Sequence, residues 1–318
     1  MILITGGLGF SGSHTARALL DLGQSCVLTQ HRNANVPEFL EGEVGKRIAI
    51  EQVDLTDTAS VLQLGTRHEI RSIIHLAAPA LTPDRIHDAD AATRALLNTL
   101  RAGRDWDVAR VLIASSIGLY IGVNEAPFRE DVPLPMVTGD PVPVLKKVAE
   151  LLAGLVAEGE TFELINLRIS TIWGPLGPPE TPFVALPHLV HAAVHGEAAD
   201  LSRLRDTPYS DDGVDLCYVK DCGRAIALLA TADTLSHRTY NVGDGRPTTN
   251  REVVAAIAAA RDSAPAPALR SGRDPAGPGH DVYLDITRLE ADTGYRPAYG
   301  VERGVRDYLE WLALGHQR

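Results

Sequence analysis

Residues 2–20 join an apolar run, Ile2-Leu3-Ile4, to the glycine-rich turn Thr5-Gly6-Gly7-Leu8-Gly9-Phe10-Ser11-Gly12 and then to the helical pattern Thr15-Ala16-Arg17-Ala18-Leu19-Leu20. Few folds accept such a strand–turn–helix unit. Gly6 lets the chain turn sharply, Gly9 lets backbone N–H groups approach a pyrophosphate, and Gly12 lets helix and strand pack closely, with the helix N-terminus facing the anion. The segment therefore predicts a dinucleotide cradle built from Gly6, Gly9, Phe10, Ser11 and Gly12.

Short β-rich runs at 2–4, 26–29, 48–53, 73–76, 111–115 and 164–167 alternate with helical stretches. That alternation predicts an α/β fold with a Rossmann-type doubly wound parallel sheet, whose ligands sit at the strand carboxyl ends. From about Gly174 prolines and glycines interrupt the chain, and helices return near 183–195, 221–231 and 250–261. The stretch Ser263 to Gly279 reads as a surface loop before a closing helix at 301–313. Residues 1–173, with contributions from about 214–242, are expected to form the dinucleotide-binding part, and 174–318 mostly a smaller substrate-binding lobe.

A net charge of -11 and a pI near 5.4 argue against a nucleic-acid surface, which needs a basic stripe. Cys26, Cys217 and Cys222 are odd in number and lack zinc-ligand or C-x-x-C spacing, which fits reduced, packed thiols. A strand beginning at residue two leaves no room for a signal peptide, and no apolar run approaches a membrane span. A cytoplasmic enzyme without a membrane or nucleic-acid partner is expected.

Further segments carry a family likeness: Val53-Asp54-Leu55, Ile73-Ile74-His75-Leu76-Ala77-Ala78, Val111-Leu112-Ile113-Ala114-Ser115-Ser116, Leu167-Arg168-Ile169-Ser170-Thr171-Ile172-Trp173-Gly174-Pro175, Tyr218-Val219-Lys220-Asp221 and Tyr240-Asn241-Val242-Gly243. Together with the G-x-x-G-x-x-G spacing they resemble, along the whole chain, the extended short-chain dehydrogenase/reductases of the NAD-dependent epimerase/dehydratase family. The resemblance implies that Asp54 and Leu55 lie against the adenine, that Leu76, Ala77, Ala78 and Ile169 line the cofactor, and that Ser116 is the catalytic hydroxyl. It also implies a dimer through helices near 88–103 and 145–157, where Leu96, Leu97 and Leu100 on one and Leu151, Leu152 and Leu155 on the other supply apolar faces.

NAD-specific members place an acidic residue at the end of the second strand, where this chain has Gln30, followed by His31 and Arg32. Cationic or hydrogen-bonding groups there could take the phosphate of NADP, so NADP is the expected cofactor, with NAD the alternative.

The resemblance breaks at the catalytic centre. Members carry Tyr-x-x-x-Lys on one helix face, with the ammonium lowering the pKa of the phenol. Lys146, four residues before Glu150, matches the Lys and should hold the nicotinamide ribose, yet the Tyr position holds Val142; taking Lys147 instead gives Pro143. Tyr120, four residues beyond Ser116, is the candidate replacement acid. Three more family positions depart: an Asn falls near Ala92, a second on Thr171, and the Arg that clamps a sugar nucleotide's diphosphate on Val214.

An aliphatic side chain cannot hold a buried diphosphate. The expected activity is therefore that of an NAD(P)-dependent oxidoreductase acting on a small carbonyl or alcohol that is not a nucleotide sugar. The alternative is a nucleotide-binding member without redox turnover, or a lyase or epimerase using the same pocket. Thr171, His188, His191, Arg203 and Arg205 are the candidate substrate contacts. His188, His191 and His195 share a helix face, but no Glu or Cys accompanies them at a metal-motif spacing, so no metal is expected.

Overall fold

The computed structural model describes residues 1–31, 35–78, 81–136, 139–261 and 269–316. Its strands are β1 (Ile2–Thr5), β2 (Cys26–Gln30), β3 (Ile48–Gln52), β4 (Ser72–His75), β5 (Arg110–Ser116), β6 (Glu163–Ile169), β7 (Thr171–Trp173), β8 (Gly213–Val214), β9 (Leu216–Tyr218), β10 (Thr239–Val242) and β11 (Thr248–Thr249). Seven of them form one parallel sheet in the order β10-β6-β5-β4-β1-β2-β3. The chain runs outward from β1 to β3 and returns on the other side of β1 with β4. That reversal opens a crevice at the carboxyl ends of β1 and β4.

The helices are α1 (Phe10–Asp21), the short α2 (Glu38–Glu41), α3 (Thr58–Leu62) and α4 (Leu64–Arg67), then α5 (Arg85–Asp105), α6 (Pro141–Ala157), α7 (Leu186–His195), α8 (Val219–Thr231), α9 (Asn250–Ala260), α10 (Thr287–Thr293) and α11 (Val301–Ala313). β1 and β4 are buried along their whole length, because helices cover both faces of the sheet. On one face Ala16, Leu19 and Leu20 of α1 pack with Ile226 and Leu229 of α8; on the other, Leu96 and Leu100 of α5 pack with Ala153 of α6. A third core joins Trp173 to Leu186, Leu189 and Val190 of α7, Val253 and Ile257 of α9, and Val305 and Tyr308 of α11.

Local signals explain the helix starts. Asp84 caps α5 through the N–H groups of Ile86 and His87, Asp140 caps α6 with Pro141 in its first turn, and Thr249 forms a capping box with Glu252 on α9. The closing helix occupies the predicted 301–313, whereas the helix predicted from 183 begins at Leu186 and carries Pro187 in its first turn. The predicted loop 263–279 lies partly outside the described residues. Its described end and the chain after it are tied to the rest of the fold by isolated bridges, Arg270 to Tyr209, Val282 to Val214 and Leu284 to Phe128.

Candidate active site

The glycine turn has the geometry its sequence requires. Gly6 has φ +69°, its N–H donates to Thr29 Oγ1 at 3.1 Å, and its carbonyl accepts from Gly9 N–H at 2.9 Å. A Cβ on Gly12 would strike the Gly6 carbonyl and come within 2.9 Å of Gly7 Cα. α1 starts after Gly9 with no side chain capping it, so the first-turn N–H groups around Phe10 and Ser11 face the crevice as anion donors.

Behind the turn, Thr5 Oγ1 and Thr99 Oγ1 lie 2.8 and 3.2 Å from His75 Nδ1, and burial pushes that imidazole down to about 3, so it is neutral. Leu76 and Ala77 donate their N–H groups to Thr5 at 3.2 and 3.4 Å, which ties the end of β4 to the end of β1. Ala78 is exposed at the end of that strand. Ile169 ends β6 in register with Ser116 and Val242.

At the adenosine end, Gln30 Oε1 is buried and has no hydrogen-bond partner among the described residues. An orphan acceptor at the end of β2 fits ribose hydroxyl donors, and with the uncapped α1 it makes the cradle compatible with a nicotinamide dinucleotide. Asp54 Oδ1 accepts from the N–H and hydroxyl of Thr56 at 2.9 and 2.7 Å, which holds its carboxyl below the usual range. The carbonyl of Leu55 accepts from Asn98 at 2.9 Å. His31 is exposed, with its carbonyl taken by Gln52 at 3.3 Å; Arg32 lies outside the described residues.

Lys146 is half-buried and donates to the Ala114 carbonyl at 2.7 Å, and desolvation lowers its pKa. One turn earlier Val142, not a tyrosine, faces the cavity described below, while Lys147 points to the carbonyl of Pro135. Ser116 caps the 3-10 turn Ile117–Tyr120 by accepting from Gly118 N–H at 3.0 Å, which leaves its hydroxyl hydrogen free to donate.

Tyr120 requires a correction. Its hydroxyl donates to Asn241 Oδ1 at 2.8 Å and accepts from Arg168 at 3.0 Å, its ring stacks on Phe128, and burial pushes it up to about 12. The phenol touches the cavity wall but is 1% exposed, and its hydroxyl proton is committed to Asn241, which argues against its serving as the replacement acid.

A cavity of about 710 Å³ opens beside Ser116 and Val142. Of the candidate substrate contacts, Thr171 and Arg205 line it. Arg203 does not, because it is held on the surface by Glu180. None of the three helix histidines lines it either. His188 turns back to the Thr181 carbonyl at 2.8 Å, His191 bonds the Tyr308 hydroxyl at 2.8 Å, and His195 is exposed. Thr181 and Tyr308 do line the cavity, so two of these histidines brace its wall from behind.

Sequence reasoning misses Asp140, Phe183, Asp206 and His280, all on the wall. Asp140 is detectable as the N-cap preceding Pro141. His280 follows a Pro- and Gly-rich stretch without periodicity, and its position depends on long-range bridges.

The family model described as "NAD dependent epimerase/dehydratase family" matches residues 2–243. The chain belongs to that family. Among its curated relatives, the UDP-glucose 4-epimerase of Neisseria gonorrhoeae is 26% identical over 98% of this chain and 97% of the relative. The solved UDP-glucose 4-epimerase of Thermus thermophilus, a complex with NAD, is 26% identical with a TM-score of 0.76 and covers 97% of both chains. A UDP-glucose-4-epimerase structure from Stenotrophomonas maltophila, at 22% identity, shares the fold with a TM-score of 0.81 over 100% of this chain and 99% of that one. As a family member this chain is an NAD-dependent enzyme of the epimerase/dehydratase type with a Rossmann-type fold. Among the described residues, no helix is long and apolar enough to cross a membrane.

Proposed function

We propose that this family member transfers a hydride between a bound nicotinamide dinucleotide and an alcohol or carbonyl carbon of an uncharged, largely apolar compound, not a nucleoside diphosphate sugar. The observation that carries this reading is the cavity wall. Phe10, Ile117, Phe128, Val142, Ile172 and Phe183 supply most of its character, and its one guanidinium among the described residues, Arg205, is already engaged by Asp140 at 2.8 Å. With Asp206 also on the wall, the lining carboxylates outnumber that cation, which opposes a ligand carrying two negative charges.

When bound, the nicotinamide supplies or accepts the hydride. Ser116 would offer its hydroxyl hydrogen to the substrate oxygen, Lys146, one turn after Val142, would hold the nicotinamide ribose, and the apolar wall would exclude water and orient the reacting carbon. Orientation is then the main catalytic contribution, and the missing phenol lowers the rate of proton delivery without removing the hydride path.

NAD is the cofactor favoured by the orphan acceptor of Gln30 at the ribose end, while the exposed His31 is the one described side chain that favours NADP. Titration of the protein's fluorescence with NADH and NADPH tests this choice. NADH binding tighter by about tenfold or more is expected, and tighter NADPH binding would return the choice to His31 and Arg32.

The activity itself is tested by NADH consumption across a panel of alkyl and aryl aldehydes and ketones. Turnover by members of that panel is expected; tight NADH binding with no turnover anywhere would leave a nucleotide-sensing role in its place. A second reading, nucleotide-sugar epimerisation, is favoured by the full-length similarity to UDP-glucose 4-epimerases.

We assign residues 174–318, apart from the return through α8 and β10, to substrate binding. The buried free thiols of Cys26, Cys217 and Cys222 support a reducing, cytoplasmic setting. A homodimer through α6 is supported by Val144, Val148, Leu151 and Leu155, an exposed apolar stripe at alternating four- and three-residue spacing. The faces expected from sequence need adjustment, because Leu96, Leu100 and Leu152 pack inward, leaving Leu151 and Leu155 outward.

A further inference from the structure

Two charged groups on the cavity wall face each other from segments more than sixty residues apart. Asp140 closes the N-terminus of α6 by accepting Val142 N–H on Oδ1 at 2.9 Å, and its Oδ2 accepts from Arg205 Nη2 at 2.8 Å. The two sides differ in exposure, with the Asp140 side chain 11% exposed and that of Arg205 52%. Arg205 does not depend on Asp140 alone for its place. Its backbone N–H donates to the Pro182 carbonyl at 2.9 Å, and its guanidinium carbon lies 5.2 Å from the Phe183 ring centroid. The cation is therefore fixed at the wall by backbone and ring, while its charge is neutralised by one carboxylate.

We propose that the Asp140–Arg205 pair determines specificity by occupying the guanidinium that would otherwise bind a diphosphate in this cavity. The inference rests on the uncharged-substrate reading and assigns a cause to it. A diphosphate entering the intact site meets the Asp140 and Asp206 carboxylates, and the charge of Asp140 offsets the attraction that Arg205 would exert on it. Charge neutralisation at position 140 reverses this balance: the guanidinium stays where Pro182 and Phe183 hold it, and its fork of N–H donors is open to a phosphate. The substitution Asp140→Asn suits the test because asparagine caps a helix about as well as aspartate, so α6 keeps its start.

The experiment is a calorimetric titration of UDP into protein saturated with NADH, so that the dinucleotide cradle is already filled. The wild type is expected to bind UDP weakly, and Asp140→Asn more tightly by about tenfold or more. The gain should shrink as salt is raised, be absent for uridine, and be lost in the double variant Asp140→Asn/Arg205→Gln. Thermal melting of each variant separates a specificity change from loss of fold. Weak UDP binding by both wild type and Asp140→Asn overturns the role of the pair and leaves the uncharged-substrate reading standing. Tight UDP binding by the wild type overturns both. A gain that survives in the double variant assigns the effect to another group and also overturns the proposal.

Discussion

At the residue scale, the carboxyl of Asp244 couples stability to pH. Burial and the neighbouring Asp215 push Asp244 up to about 6 in the fold, from 3.8 as its ordinary value. The folded state therefore holds this proton more tightly than the unfolded chain, and stability from this group falls as pH rises from about 4 through 6. Asp244→Asn removes the penalty. It is expected to raise stability by about 1–2 kcal/mol at pH near 7.5, after discounting for partial exposure, and to change little near pH 4. Denaturant melts of both proteins at the two pH values check this, and an equal effect at both would refute the assignment. Residues also differ in how far the sequence reveals them. Gly6, Gly9 and Gly12 are legible because backbone geometry dictates them locally, and Val142 is legible as an absence because helix spacing from Lys146 fixes its face. Tyr120 misleads, because its proximity in sequence to Ser116 says nothing of Asn241 and Arg168, which reach it from β10 and β6 and fill its hydroxyl.

At the scale of elements, the sheet and its order follow from alternating strand and helix patterns, and the close helix pairs follow from small residues. α8 meets α1 at Gly223, where a Cβ would lie 2.6 Å from the carbonyl carbon of His14 and 2.8 Å from Thr15 N. Those are backbone atoms, which cannot swing aside. Gly223→Ala is expected to push the helices apart and cost about 1–3 kcal/mol, read as a lower denaturation midpoint with an unchanged slope. An unchanged midpoint would mean that the pair can slide at no cost. The histidines of α7 show the limit of pattern reading at this scale. Spacing puts them on one face, but that face turns to Thr181 and Tyr308, because the apolar side of α7 and the third core decide its rotation.

For the whole molecule, family membership and the sheet account for the dinucleotide, while assembly and substrate depend on surfaces that no local pattern encodes. The exposed Leu151 and Leu155 of α6, at 67% and 68% exposure, are expected to be covered by a second copy of the chain. Leu151→Glu/Leu155→Glu should convert a dimer to a monomer in sedimentation velocity, with the melting profile retained; a wild type that sediments as a monomer would dismiss the dimer.

The most direct test of the central claim is a partition experiment in which NAD-loaded protein meets UDP-glucose, and NADH-loaded protein meets an aryl ketone, with products followed by mass spectrometry. The account predicts reduced ketone and no UDP-galactose. Formation of UDP-galactose with the ketone untouched would contradict it.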